Sequence, residues 1–249
     1  MTISVAITGA TGRMGGLIRR IIDETEGLEL HAALSSGSDL DELRGADALI
    51  DVTNYDASVR AVDAALEHGL DVVVGTSGWD AARLAELEAR IPAGRGVLVV
   101  PNFSVGSVVA TRLAEIAGRF FDSIEILEAH HEAKVDSPSG TAVRTAERIA
   151  AARGAALAPP NAQQPARGQT VEGIPVHSLR LRGVVADQQV VLGGTGESLN
   201  IRHETYSQDA YVEGIRLALR AVTGLEGLEV GLDGLLGLDE LLPPAGARA

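Results

Sequence analysis

The sequence predicts an α/β protein in which a doubly wound parallel sheet is followed by a second, α+β domain with a mostly antiparallel sheet. Short β-branched apolar runs alternate with amphipathic helical segments from Ile3 to Val100, the pattern of crossover units in a sheet covered on both faces. The first run ends in a glycine-rich turn, Gly9 to Gly15. After Asn102 the alternation gives way to strand runs parted by glycines and short polar turns, as in an antiparallel meander.

Each element has a local reason. Ile3 to Thr8 is a buried strand, and Gly12 to Ile22 carries helical spacing through Met14, Leu17, Ile18 and Ile21. Leu28 to Leu34, Ala48 to Val52, Asp71 to Gly75 and Val97 to Val100 read as further strands, with helices over Ala57 to Glu67 and Ala81 to Arg90. In the second half, helices are expected over Gly106 to Phe120, Ser139 to Arg153 and Tyr211 to Val222, and a strand over Ile124 to Ala129. Val176 to Arg182, Gln188 to Leu192 and Leu199 to His203 form the expected meander, and Ala155 to Gly173 reads as irregular. The Pro/Gly/Ala tail from Pro243 is expected to be disordered.

Composition excludes several function classes. The 249 residues include no cysteine, which removes thiolate metal sites and any cysteine nucleophile. A formal net charge of -13 argues against nucleic acid, whose phosphates need clustered cations. No apolar run approaches a membrane span, and the opening MTISVAITGATG reads as a strand instead of a leader. A cytoplasmic protein with no membrane partner is expected.

The glycine turn points to a dinucleotide. Gly9, Ala10, Thr11, Gly12, Arg13 and Met14 join the first strand to the first helix, where glycines let backbone approach a pyrophosphate at a helix N-terminus. That placement makes the first domain Rossmann-like, spanning residues 1–103 with 207–249, while 104–206 is expected to hold substrate and oligomer contacts. The second strand ends Leu34-Ser35-Ser36-Gly37, and its first following acid is Asp39. Without a carboxylate at the strand end nothing repels a 2′-phosphate, and Arg13 can face it. NADPH is therefore expected to serve at least as well as NADH. Gly75, Thr76 and Ser77, with Val100, Pro101, Asn102 and Phe103, follow two further strands and are expected to reach the nicotinamide half.

The richest segment is Glu128 to Ala142, EAHHEAKVDSPSGTA, which holds two adjacent histidines and Lys134, the only lysine of the chain. An ammonium is a compact charge that arginine does not copy, and imidazoles move protons near neutrality. A lone lysine on a solvated loop is commonly inert, but this one sits beside His130 and His131. Ser139 is an N-cap type, so Gly140 and Thr141 can turn backbone N–H groups toward an anion. Two anion-binding groups so close favour a small dicarboxylate. No metal is expected, because adjacent strand histidines point to opposite faces and no third ligand is evident. By the same alternation, the chain must bend at the pair if both histidines are to touch one ligand.

These residues resemble a known family. EAHHEAKVDSPSGTA, with GATGRMG, VVGTSGW, VPNFSVG, VEGIPVHSLRLRG and GESLNIRHE, is similar across essentially the whole chain to the 4-hydroxy-tetrahydrodipicolinate reductase (dihydrodipicolinate reductase) family of lysine and diaminopimelate biosynthesis. The resemblance implies hydride delivery from NADPH or NADH to a cyclic imine dicarboxylate, then protonation of the resulting enamine carbon. It also implies His130 as proton donor, His131 as substrate partner and Lys134 as a catalytic residue that holds a carboxylate and helps polarise the ring, in a homotetramer formed through the meander sheets. Cofactor binding is expected to close the two domains around the substrate, as the chain crossings near Phe103 and Tyr206 would permit. Gln208 and Tyr211 depart from the Arg and Phe common in the family near the last helix. Two other readings are a dinucleotide-binding sensor without chemistry and a reductase for another small imino or amino acid.

Overall fold

The computed structural model describes residues 2–155 and 157–241, so the tail expected to be disordered from Pro243 lies outside the described residues. The chain divides into two compact units, one formed by residues up to Val105 with Tyr211–Leu235, the other by Gly106–Ala210 with the chain from Leu236.

The first unit is a six-stranded parallel sheet. Its strands are β1 (Ile3–Thr8), β2 (Leu28–Leu34), β3 (Ala48–Asp51), β4 (Asp71–Val74), β5 (Gly96–Val99) and a late strand, β11 (Gly227–Val230), ordered β11-β5-β4-β3-β1-β2. Helices α1 (Arg13–Glu24), α2 (Tyr55–Glu67) and α3 (Ala81–Glu88) make the crossovers. Fully buried β3, β4 and β5 are nearly all apolar, as strands covered on both faces must be. One core cluster joins them to Ala61, Val62 and Ala65 of α2 and Leu87 of α3. The order reverses at β1, which pairs with both β2 and β3; such switch points are where open α/β sheets bind ligands. β11 was not expected from the sequence, since GLEV is short and flanked by glycine.

The second unit holds α4, which starts at the boundary (Val105–Ala117), then β6 (Ser123–His130), α5 (Gly140–Arg153), β7 (Gln169–Val171), β8 (Ile174–Arg180), β9 (Ala186–Gly194) and β10 (Glu197–Thr205). The sheet order is β10-β9-β6-β8-β7. This corrects the expected meander: β8 and β9 are not neighbours, because β6 lies between them, antiparallel to β9 and parallel to β8. The route β6–α5–β8 is a crossover, which returns the chain in the same direction. The stretch expected to be irregular contains β7, which hairpins onto β8. Ile124, Ile126, Val176, Val190 and Leu192 face Ala142, Ala146 and Ile149 of α5 in one core.

The last helices are α6 (Val212–Ala221) in the first unit and the short α7 (Leu238–Leu241) in the second. Arg112 of α4 donates to Asp239 of α7 at 3.2 Å. No helix among the described residues is long and apolar enough to cross a membrane.

Candidate functional site

The carboxyl edge of the first sheet gathers the residues expected at the dinucleotide. Backbone pairing continues past the strand ends: Val52 N–H donates to the Thr8 carbonyl, Gly75 N–H to Asp51 and Val100 N–H to Val74, while Ala10 N–H reaches Leu34. The loops carrying Gly9–Met14, Ser35, Gly75–Ser77 and Val100–Phe103 are thereby laid side by side. Gly9 has φ +81°, and a Cβ there would fall on the Val52 carbonyl oxygen. A Cβ on Gly15 would strike the Gly9 carbonyl oxygen and the Ala10 backbone. Only glycine permits this turn.

The helix behind the turn suits an anion. α2 is capped by Asn54 and α3 by Asp80, but α1 begins at Gly12 with no side-chain cap. Its first-turn N–H groups thus lack the side-chain acceptor the other crossover helices carry. Thr11, Gly12 and Arg13 are exposed around it, with Met14 half-buried. At the end of β2, Ser35 N–H donates to Ser38 Oγ at 3.0 Å. Asp39 accepts from Asp41 N–H at 3.0 Å in a capping box with Glu42, so the first acid after β2 is engaged in its own turn. These features fit a dinucleotide.

Some expected contacts are buried. Thr76 Oγ1 donates to Asp51 Oδ2 at 2.5 Å, and Asp51 Oδ1 accepts from Thr8 and Thr53 hydroxyls at 2.7 Å each. Thr76 also accepts the Thr53 N–H at 2.8 Å. The Asp51 carboxylate therefore ties β1, β3 and the loop after β4 together. Val100 and Phe103 are buried as well; a Cβ on Gly75 would stand 2.7 Å from the Phe103 ring. Ser77 and Pro101 are exposed and Asn102, half-buried, accepts the Ser104 N–H at 2.8 Å. Asp51 was not singled out from the sequence, although an acid ending the apolar strand ALID was the available signal.

In the second unit β6 delivers Glu128 and His130 on the face toward α5, since they alternate with Ile124 and Ile126. The strand ends at His130, and His131 starts a turn closed by Lys134 N–H to the His131 carbonyl at 3.0 Å. The bend between the histidines is therefore present. Lys134 Nζ lies 2.8 Å from Asp136 Oδ1. Burial pushes the Asp136 carboxyl up, but Lys134 and the backbone N–H groups of Asp136 and Gly140 outweigh it and hold the group below its ordinary value.

Ser139 caps α5, its Oγ accepting from Ala142 N–H at 3.2 Å, while its own N–H donates to Glu128 Oε1 at 3.1 Å. Ser139 is buried, Gly140 is exposed and Thr141 is half-buried. A Cβ on Gly140 would meet nothing within 4 Å, so the helix start opens outward at that residue.

Two participants were missed. Arg180, on β8, donates to both Glu128 oxygens, at 2.9 and 3.0 Å. Glu128 also accepts from His130 Nδ1 at 2.6 Å. Burial alone pushes the Glu128 carboxyl up; hydrogen bonds from His130, Arg180 and Ser178 overcome that and bring its pKa to about 2. The site thus contains a buried carboxylate that stays ionised down to about pH 2, an imidazole bound to it, an ammonium and a helix N-terminus. That set can move a proton and hold carboxylates.

Comparison with known proteins agrees across the chain. The profile for the dihydrodipicolinate reductase N-terminus matches residues 3–103, and that for the C-terminus matches residues 106–242. A 4-hydroxy-tetrahydrodipicolinate reductase of Clavibacter michiganensis is 54% identical over 243 residues, covering 96% of this chain and 88% of the relative. One from Streptomyces griseus is 44% identical over 247 residues, covering 95% and 99%. Among solved structures, a dipicolinate-bound dihydrodipicolinate reductase from Paenisporosarcina sp. TG-14 is 30% identical with a TM-score of 0.79, covering 94% of this chain and 99% of the other. An amine dehydrogenase of Mycobacterium smegmatis shares the fold alone, at 11% identity and a TM-score of 0.64. On its glycine turn, its His-His-Lys segment and these matches, the chain belongs to the dihydrodipicolinate reductase family.

Proposed function

We propose that the protein reduces 4-hydroxy-tetrahydrodipicolinate, through the dihydrodipicolinate imine, to tetrahydrodipicolinate in lysine and diaminopimelate biosynthesis. The observation that carries this is the grouping of His130 and the α5 N-terminus on one buried carboxylate, Glu128, with Lys134 in the turn between them, in a chain with matches to reductases of that name. A reduced nicotinamide, when bound, supplies the hydride.

The chain's own residues do the rest. Gly9, Ala10, Thr11, Gly12, Arg13 and Met14 hold the pyrophosphate against α1, and Ser35 with Arg13 receives the 2′-phosphate of NADPH; NADH is the other reductant. Gly75, Thr76, Ser77, Val100, Pro101, Asn102 and Phe103 shape the nicotinamide end, Thr76, Val100 and Phe103 through backbone because their side chains are buried. Lys134 and the backbone of Gly140 and Thr141 grip a substrate carboxylate, His131 contacts the ring, and His130 protonates the enamine carbon. Ser139 acts as the cap that sets this backbone, its hydroxyl being already engaged.

The reading extends to a cytoplasmic homotetramer. The face of the second sheet opposite α5 exposes Leu127 and Leu179, whose strands are adjacent, and a second copy would cover them. Light scattering should give four chains, and Leu179→Glu should lower that number.

The deciding assay follows NADPH oxidation with substrate made in situ from pyruvate and aspartate semialdehyde by the upstream synthase. Turnover that needs the synthase supports the proposal; binding of NADPH without turnover points to a sensor. Lys134→Ala should reduce kcat/KM by about 100-fold or more with NADPH affinity retained. Near-normal kcat/KM would remove Lys134 from the mechanism.

A further inference from the structure

Glu128 is charged yet fully buried, and both of its oxygens carry hydrogen bonds. Oε2 accepts from His130 Nδ1 and Arg180, and Oε1 accepts from Arg180 and the Ser139 N–H. A bidentate arginine would by itself compensate the charge. Besides Ser178 on β8, two further donors, the His130 ring and the Ser139 N–H, are therefore informative. They come from either side of the turn that bears Lys134: His130 ends β6 before it, and Ser139 caps α5 after it. One rigid carboxylate thus spans the base of that turn.

We infer that Glu128 is the positioning residue of the reduction: its carboxylate, locked by Arg180, fixes the proton on His130 Nδ1 and pins the start of α5 at a set separation from that ring. An ionised carboxylate only accepts, so the ring must present Nδ1–H to it, and Nε2 becomes the position that gains and loses a proton. In the protonation step the proton leaves Nε2, the enamine's electron pair forms the new C–H bond, and the ring is left neutral with Nδ1–H still on Glu128. Solvent then returns a proton to Nε2. The charged groups placed at the ring are Glu128 on its own strand and Arg180 opposite on β8, while β9 places uncharged Ala186 opposite it and Lys134 and Asp136 pair with each other in the following turn. The inference rests on the proposed role of His130.

The test begins with the wild-type protein, labelled with ¹⁵N-histidine. The His130 signals are identified by their loss in His130→Gln. Above the imidazole titration, the neutral ring should carry its hydrogen on Nδ1, whereas free imidazole side chains favour Nε2. An Nε2–H tautomer at His130 overturns the inference whatever the kinetics show. Glu128→Gln should then lower kcat about 10- to 100-fold, a part of the roughly 10²–10⁴-fold that a general acid contributes, and move the high-pH limb of kcat to lower pH. In a His130→Gln background the same change should cost less than about threefold, since residues acting as a unit are not additive. Equal losses in both backgrounds, with the pH limb unmoved, would make Glu128 a purely structural ion-pair partner. If His130→Gln alone keeps near-normal kcat, the proton-donor reading falls, while the wild-type tautomer still decides the positioning claim. If Glu128→Gln does not fold, the wild-type tautomer and Glu128→Asp decide it, the latter by retaining Nδ1–H and the high-pH limb.

Discussion

The Lys134 ammonium stands 2.8 Å from the Asp136 carboxylate two residues on, and the Gly140 N–H at the start of α5 also favours that carboxylate's charged form. The two groups proposed to grip a substrate carboxylate already share one of the protein's own. An incoming dicarboxylate competes with Asp136 for them. Asp136→Asn keeps the shape and removes the competitor's charge, so the substrate KM should fall about three- to tenfold with kcat little changed, as expected when binding of substrate and transition state is altered equally. Steady-state kinetics at fixed saturating NADPH reads both constants, and a raised KM would show Asp136 holding Lys134 in place instead.

The pH dependence of stability has a definite sign. The Glu128 carboxyl titrates near 4.5 when unperturbed and at about 2 in the fold. Between those values the unfolded chain binds the extra proton, so the stabilisation is complete above pH 4.5 and is lost as pH falls through about 2. The shift corresponds to roughly 3 kcal/mol. Urea melts at pH 6 and pH 3 should show the wild type losing more stability on acidification than Glu128→Gln.

Gly9→Ala should damage the first unit at the proposed dinucleotide turn. The new Cβ would fall on the Val52 carbonyl oxygen at a φ of +81°, and neither backbone segment is free to give way. A stability loss of roughly 1–3 kcal/mol is expected from overpacking of this kind. NADPH affinity should drop at least about tenfold, because the turn sets the approach to the pyrophosphate. Energy transfer from Trp79, the sole tryptophan, to bound NADPH gives the affinity.

Thr76→Val tests the Asp51 network separately from the cofactor. The replacement is close in shape but leaves Asp51 Oδ2 and the Thr53 N–H without their partner. An unsatisfied buried polar group costs about 1–3 kcal/mol. The melting temperature should fall, while Ser77→Ala on the same loop, exposed in the structure, should leave it unchanged.

Much of the first unit was legible because its signals are local. Buried runs such as Ile3–Thr8 and Asp71–Val74, and the Asp80 cap of α3, announce themselves over a few residues. β7 and β11 did not, since three or four residues beside glycines show no period. The longer strands of the second sheet were visible, but their order was not: hydrophobic alternation says that a segment pairs, and leaves open with which neighbour. The candidate site divides the same way. His130, Lys134 and Ser139 lie within ten residues and read as a unit. The partner that locks Glu128, Arg180, lies 52 residues further along the chain, and an arginine on a strand carries no local mark of that duty. Thr76 was legible as a loop residue, whereas its inward hydroxyl depends on Asp51 from another strand.

The parallel seam between β6 and β8 sets His130 beside Arg180, and it exists only after α5 has carried the chain across the sheet. A nascent polypeptide that stops short of β8 would contain every letter of the EAHHEAKVDSPSGTA signature and still lack the guanidinium that clamps Glu128. Chemical competence would therefore arrive late and abruptly during synthesis, at the moment the crossover closes.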